Sequence, residues 1–219
     1  MGINVDYFFQ FVQYCINKDQ SGNSTTPEQF NIVANQAQLF QFTADYETYV
    51  KTGVVSNYLK TFLTIGSVFQ VNPNNNIVPY PANLQYISSI RYLYNGTQYK
   101  AEWVDNIDIG DVLRPNSLIA STPEFVKWQY VDDGIQFFVT NAMSVYLDYF
   151  ATPTPPFWNY TISQNEPVYN PTGSVNFEFD SYFLNRIASI YLQMVGVNLS
   201  DANIAGFAQQ FTAETKVDI

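Results

Sequence analysis

The 219-residue sequence contains no histidine and a single cysteine, Cys15. Without histidine, the serine–histidine–aspartate and cysteine–histidine arrangements of nucleophilic catalysis cannot be built. The commonest ligand for transition metals is missing as well. One cysteine excludes a disulfide framework within the chain. Cys15 falls on an apolar helical face, which fits a buried structural thiol better than a reactive one.

Charge is also scarce. Only 13 % of residues are charged, and 9 Lys+Arg stand against 19 Asp+Glu. A net charge of −10 lacks the basic footprint of a nucleic-acid binder and does not suit an anionic membrane surface. No apolar run approaches the ~20 residues of a membrane-spanning helix, so no membrane partner is expected. The first residues carry no basic, signal-like segment, which suggests folding in a cytoplasm. The Asn-x-Ser/Thr triplets at Asn23, Asn95, Asn159 and Asn198 then follow from an Asn-rich composition. No phosphate-binding glycine loop occurs.

What the chain has instead is aromatic surface, with 18 Phe and 17 Tyr. That content favours an ordered chain. Combined with few charges, it resembles the composition of buried protein interfaces.

Residues 4–17 read as a helix, with Val5, Phe8, Phe9, Val12, Cys15 and Ile16 on one face. Tyr7, Phe11 and Tyr14 widen the apolar surface beyond what one partner needs. Thr26-Pro27-Glu28-Gln29 is a capping box that opens a second helix running to about Tyr49. A third helix is expected over 180–195, stopped by Gly196, and a last one over 201–211, capped by Ser200. Between these lie strand signals. Residues 68–71 alternate. Residues 87–94 and 97–104 flank Asn95-Gly96, a two-residue hairpin turn. Asp132-Asp133-Gly134 separates 126–131 from 135–140, and a further strand follows at 144–150. Five prolines (153, 155, 156, 167 and 171) favour an extended arm over 152–173.

The expected architecture is therefore α+β. Terminal helices (1–66 and 174–219) pack as a bundle, a central antiparallel β-sandwich-like unit spans 67–151, and a Pro-rich arm spans 152–173. In that arm Pro155, Pro156, Phe157, Trp158 and Tyr160 are the candidate interface, with Trp158 and Tyr160 pinning it to a neighbour.

No cofactor, metal or catalytic role is assigned. Asp105, Asp108 and Asp111 surround Gly110 but lack the alternate spacing and distal Glu of a calcium loop. Asp132 and Asp133 fit a turn. Two carboxylates could hydrolyse glycosides without histidine, yet nothing selects a pair among Glu102, Glu124, Glu166 and Glu178. Trp103, Trp128 and Trp158, with Tyr92, Tyr94, Tyr99 and Tyr130, could stack on sugars or simply fill a core.

Four stretches carry a resemblance. They are Phe8-Phe9-Gln10-Phe11-Val12 leading to Thr26-Pro27-Glu28-Gln29-Phe30-Asn31; Gly134-Ile135-Gln136-Phe137-Phe138-Val139 with Val145-Tyr146-Leu147-Asp148-Tyr149-Phe150; Pro155-Pro156-Phe157-Trp158-Asn159-Tyr160; and Val175-Asn176-Phe177-Glu178-Phe179-Asp180 with Val195-Gly196-Val197-Asn198-Leu199-Ser200-Asp201. In these the chain resembles the neck and tail ring proteins of crAss-like tailed bacteriophages. The resemblance implies a structural, non-enzymatic virion subunit assembled in the host bacterial cytoplasm. Its partners would be copies of itself in rings of about twelve and neighbouring portal or tail ring proteins. DNA would pass without specific binding, with Asp105, Asp108, Asp111, Asp132 and Asp133 as candidate channel-facing acids. A capsid-decorating or lectin-like module is the alternative.

Overall fold

A computed structural model describes residues 2–17, 25–105, 107–114, 117–138 and 144–198. In chain order the elements are α1 (Val5–Asn17), α2 (Pro27–Thr52), a 3₁₀ turn (Leu59–Phe62), β1 (Leu63–Gln70), β2 (Ile77–Val78), β3 (Leu84–Tyr94), β4 (Thr97–Lys100) and β5 (Glu102–Trp103). Then come α3 (Ile109–Leu113), β6 (Lys127–Val131), β7 (Gly134–Phe137), β8 (Ser144–Ala151), β9 (Tyr160–Ser163), β10 (Glu166–Tyr169), a second 3₁₀ turn (Ser181–Phe183) and α4 (Leu184–Asn198). The class is α+β. The chain forms two compact units, one from Met1–Thr61 with Pro153–Ile219 and one from Phe62–Thr152. The expected helix at 201–211 lies outside the described residues.

In the first unit α4 lies against α1 and α2. α2 begins where its capping box predicts. Thr26 Oγ1 accepts from the Gln29 backbone N–H, and Gln29 Oε1 accepts from the Thr26 N–H at 3.1 Å. It ends at Gly53, whose φ of 70° suits glycine and whose N–H donates to the Tyr49 carbonyl. The helix core is aromatic. Phe8 is fully buried, with ring centroids 4.7 Å from Phe177, 5.9 Å from Tyr191 and 6.1 Å from Phe30. Burial pushes the Tyr191 hydroxyl up to about 12, although its hydrogen bond with Thr25 opposes the shift. Gly196 does not stop α4. The helix continues to Asn198 with Gly196 buried, so the residue lies within the helix and is not its cap.

The second unit holds two four-stranded sheets, ordered β1-β8-β3-β4 and β2-β7-β6-β5. Residues of both, including Ile90, Tyr92, Trp128, Phe137, Val145 and Leu147, share one core. The Asn95-Gly96 hairpin forms, with φ of 50° and 80°. Its second strand is shorter than the expected 97–104. After Lys100 the chain changes sheets at buried Ala101, whose N–H still donates to Ile90, while the Glu102 N–H donates to Val126. β5 thus pairs parallel to β6, the one parallel pair among the described residues. The strand at 144–150 does not extend the preceding hairpin. As β8 it lies between β1 and β3. Asp148 fixes the bulge in β1, since one carboxylate oxygen accepts from the Gly66 N–H at 2.7 Å and from Arg91 at 2.8 Å. Gly134 is required by close approach. Its φ is 153°, and a Cβ there would stand 2.2 Å from the Val78 carbonyl oxygen.

Asp45 on α2 is the least comfortable charge in the first unit. Burial raises its pKa, against the opposing effects of Gln41 and Arg186, and its Oδ2 is buried without a hydrogen bond. A carboxyl raised on folding costs nothing below its unfolded pKa. It loses stability as pH climbs from that value through the folded one. Asp45→Asn should therefore melt at a higher temperature than the parent at pH 7, with the advantage vanishing towards pH 3. An advantage independent of pH would show that burial of charge is not its cause.

Candidate functional site

The segment 153–159 has too few N–H groups to join a sheet, because prolines occupy 153, 155 and 156. α2 supplies partners from its side chains. Asn31 Nδ2 donates to the Trp158 carbonyl at 3.2 Å, and Asn31 Oδ1 accepts from the Trp158 N–H at 2.7 Å. Two turns on, Gln38 Nε2 donates to the Thr154 carbonyl at 2.9 Å. The segment thus runs antiparallel to α2. Between these anchors Asn35 Oδ1 is buried and unpaired, and the prolines at 155 and 156 have no N–H to offer it. Glu178 holds the other side of Thr154, accepting from its N–H and its hydroxyl.

Trp158 is the anchor of the site. It is 2 % exposed. Its ring stacks on Phe9 at 4.2 Å and lies 5.9 Å from Tyr160 and 5.8 Å from Tyr169. Its Nε1–H donates to Asp6 Oδ1 at 2.9 Å. The expectation that Trp158 pins an arm to a neighbour is therefore corrected: this side chain is spent within its own chain. Tyr160 donates to Glu28, which lowers the Glu28 pKa and raises that of Tyr160. Pro156 is buried, Pro155 is exposed, and Phe157 is 43 % exposed while its backbone pairs with Val175.

Residues 160–169 are not a featureless arm. β9 and β10 form a hairpin closed by Gln164 (φ 53°) and Asn165 (φ 66°). Cross-strand partners share a face, so Tyr160, Ile162, Pro167 and Tyr169 line one side and Thr161, Ser163, Glu166 and Val168 the other. The first side is apolar. Its base meets Trp158, and its outer half, Ile162 and Pro167, is exposed. An isolated two-stranded ribbon is marginal in water. The alternation Tyr160-Thr161-Ile162-Ser163 signals this hairpin, but the proline density around it masks the pattern.

Four of the five aspartates come from a loop and a turn brought to one end of a sheet, and Asp111 lies on α3. Because β5 and β6 run parallel, the loop after β5, with Asp105 and Asp108, and the turn after β6, with Asp132 and Asp133, emerge at the same end. Asp105, Asp108, Asp132 and Asp133 are exposed, and Asp111 pairs with Arg114 at 3.1 Å. Among the described residues no cluster of three or more Asp, Glu or Cys side chains is placed to hold a metal ion. Of the remaining carboxylates, Glu102 is engaged by Lys127 and Glu178 by Thr154. Trp128 and Tyr92 belong to the core, whereas Trp103, Tyr99 and Tyr130 are 55 %, 40 % and 49 % exposed. No helix among the described residues is long and apolar enough to cross a membrane.

No family model matches the chain, and no curated protein matches it.

Asn31→Ala should lower stability by about 1–3 kcal/mol, the cost of leaving the buried Trp158 N–H and carbonyl unpaired. Urea unfolding measures it. Asn31→Asp keeps the acceptor and loses the donor, and should fall between the alanine variant and the parent. Unchanged unfolding in the alanine variant would mean that the pairing does not hold the segment.

Proposed function

We propose that the chain is a structural assembly subunit: a ring-forming component of the head-to-tail connector or tail of a tailed bacteriophage, with no catalytic role. The observation that carries this reading is the ribbon at Tyr160–Tyr169, whose apolar face runs off its own core and leaves Ile162 and Pro167 in solvent. Burial of such a face by a neighbouring subunit is what the assembly reading supplies. The resemblance in four stretches supports the virion setting, and the low charge with abundant aromatic side chains fits a surface largely covered by neighbours. Heterologous contacts that close would give the ring. Exposed Trp103, Tyr99 and Tyr130 favour a second reading, a carbohydrate-binding or capsid-decorating module, which a glycan array tests directly.

Native mass measurement, alone and with the neighbouring portal or tail proteins of the same genome, should show a single closed multiple of the subunit. A chain that stays monomeric in both settings and never enters particles overturns the reading.

The gathered acids give the ring a role towards passing DNA. A negative wall repels phosphate over about one Debye length, ~8 Å at physiological ionic strength. Replacing Asp105, Asp108, Asp111, Asp132 and Asp133 by Asn should leave assembly intact and slow DNA ejection. Normal ejection from such particles would reduce the acids to a solubility function.

A further inference from the structure

We infer that the ribbon of one copy docks on the outer aromatic stripe of α1 in the next, an inference that rests on the assembly reading above. On α1, Val5, Val12 and Ile16 face the core. Asp6 and Phe9 lie on one flank, against the chain's own Trp158. Tyr7, Phe11 and Tyr14 recur at i, i+4 and i+7 on the side opposite the core. Tyr7 and Tyr14 are 57 % and 71 % exposed, and the rings of Tyr7 and Phe11 stack at 6.5 Å. The chain therefore presents two separate apolar surfaces. Its own ribbon is anchored at Phe9 and Asp6 on the flank, whereas the stripe points away from the core.

Charge selects a second copy as the occupant. Like chains of net charge −10 repel except where their surfaces are neutral. Residues 157–169 hold one charge, Glu166, on the polar side of the ribbon. α1 also holds one, Asp6, and both its oxygens are engaged, by Trp158 and by Gln10. The two apolar surfaces are thus also neutral ones. The contact uses the ribbon's face and not its edge. Ile162 and Pro167 form the pair next to the turn-closing one, so the N–H that Pro167 lacks is one that would point outward for strand addition. One ribbon and one stripe per chain make a head-to-tail contact, the kind that closes into a ring.

The test uses Ile162→Asp and Tyr14→Asp in the full chain. Both positions are exposed, so each variant should keep the parent melting temperature while its self-association weakens by more than about tenfold. The decisive sample is the mixture. An Ile162→Asp chain retains its stripe and a Tyr14→Asp chain retains its ribbon, so together they should form a capped heterodimer and nothing larger. Analytical ultracentrifugation reads all three samples. If both variants assemble as the parent does, the docking is overturned while the ring stands. If neither assembles and the mixture also stays monomeric, the head-to-tail pairing is overturned. If the parent is monomeric alone and only Ile162→Asp is lost from particles, the ribbon's partner is a different protein. A parent that neither associates nor enters particles overturns the assembly reading itself.

Discussion

A single asparagine governs the geometry of the helical unit. Asn31 offers a donor and an acceptor on one flat group, so it can pair with the N–H and carbonyl of Trp158 as a neighbouring strand would. A proline-rich segment needs such a partner. It cannot supply a regular row of N–H groups, and burying its remaining polar atoms unpaired would be costly. With Trp158 fixed, its ring sits on Phe9 and its Nε1 on Asp6, and β9 leaves the helices in a set direction. The ribbon's exposed apolar half follows from this anchoring.

The same constraint explains the unusual make-up of α2. It buries Gln38 and Gln41 beside Phe30, Ala34, Ala37 and Phe42. A helix packed only against other helices would carry apolar residues at such places. Here part of its surface faces backbone, and carboxamides are the side chains that match backbone groups in both senses. The unpaired oxygens of Asn35, Gln38 and Asp45 all lie on this helix. Those of Asn35 and Gln38 mark where a side-chain row serves an irregular segment less fully than a strand would, whereas Asp45 interacts with Gln41 and Arg186.

Elements whose signals are local were readable in the sequence. The capping box at Thr26, the Asn95-Gly96 turn and the stripe of α1 each depend on residues within a few positions, and each forms. What escaped depends on distant partners. Gly196 has the chemistry of a helix stop, yet α4 runs on past it to Asn198. The sheet change at Ala101 depends on β6, some 25 residues later. Segment 152–173 reads as an arm because proline density says what it cannot do, whereas its ordering comes from Asn31 and Gln38, more than a hundred residues away. That acids of the loop after β5 and the turn after β6 share one end of a sheet was not legible for the same reason, since only the parallel β5–β6 pair brings them there.

The β unit enters at β1 and leaves at β8, and these two strands are paired, with Leu63 opposite Phe150. Its two connections to the rest of the chain are therefore neighbours in space. A segment with adjoining ends behaves as a cassette: Phe62–Thr152 is a compact unit whose entry and exit strands lie side by side. The helices and ribbon can thus keep one geometry while the cassette varies in length or content. Natural variation in such a chain would be expected to concentrate there, with the surfaces proposed for assembly held fixed.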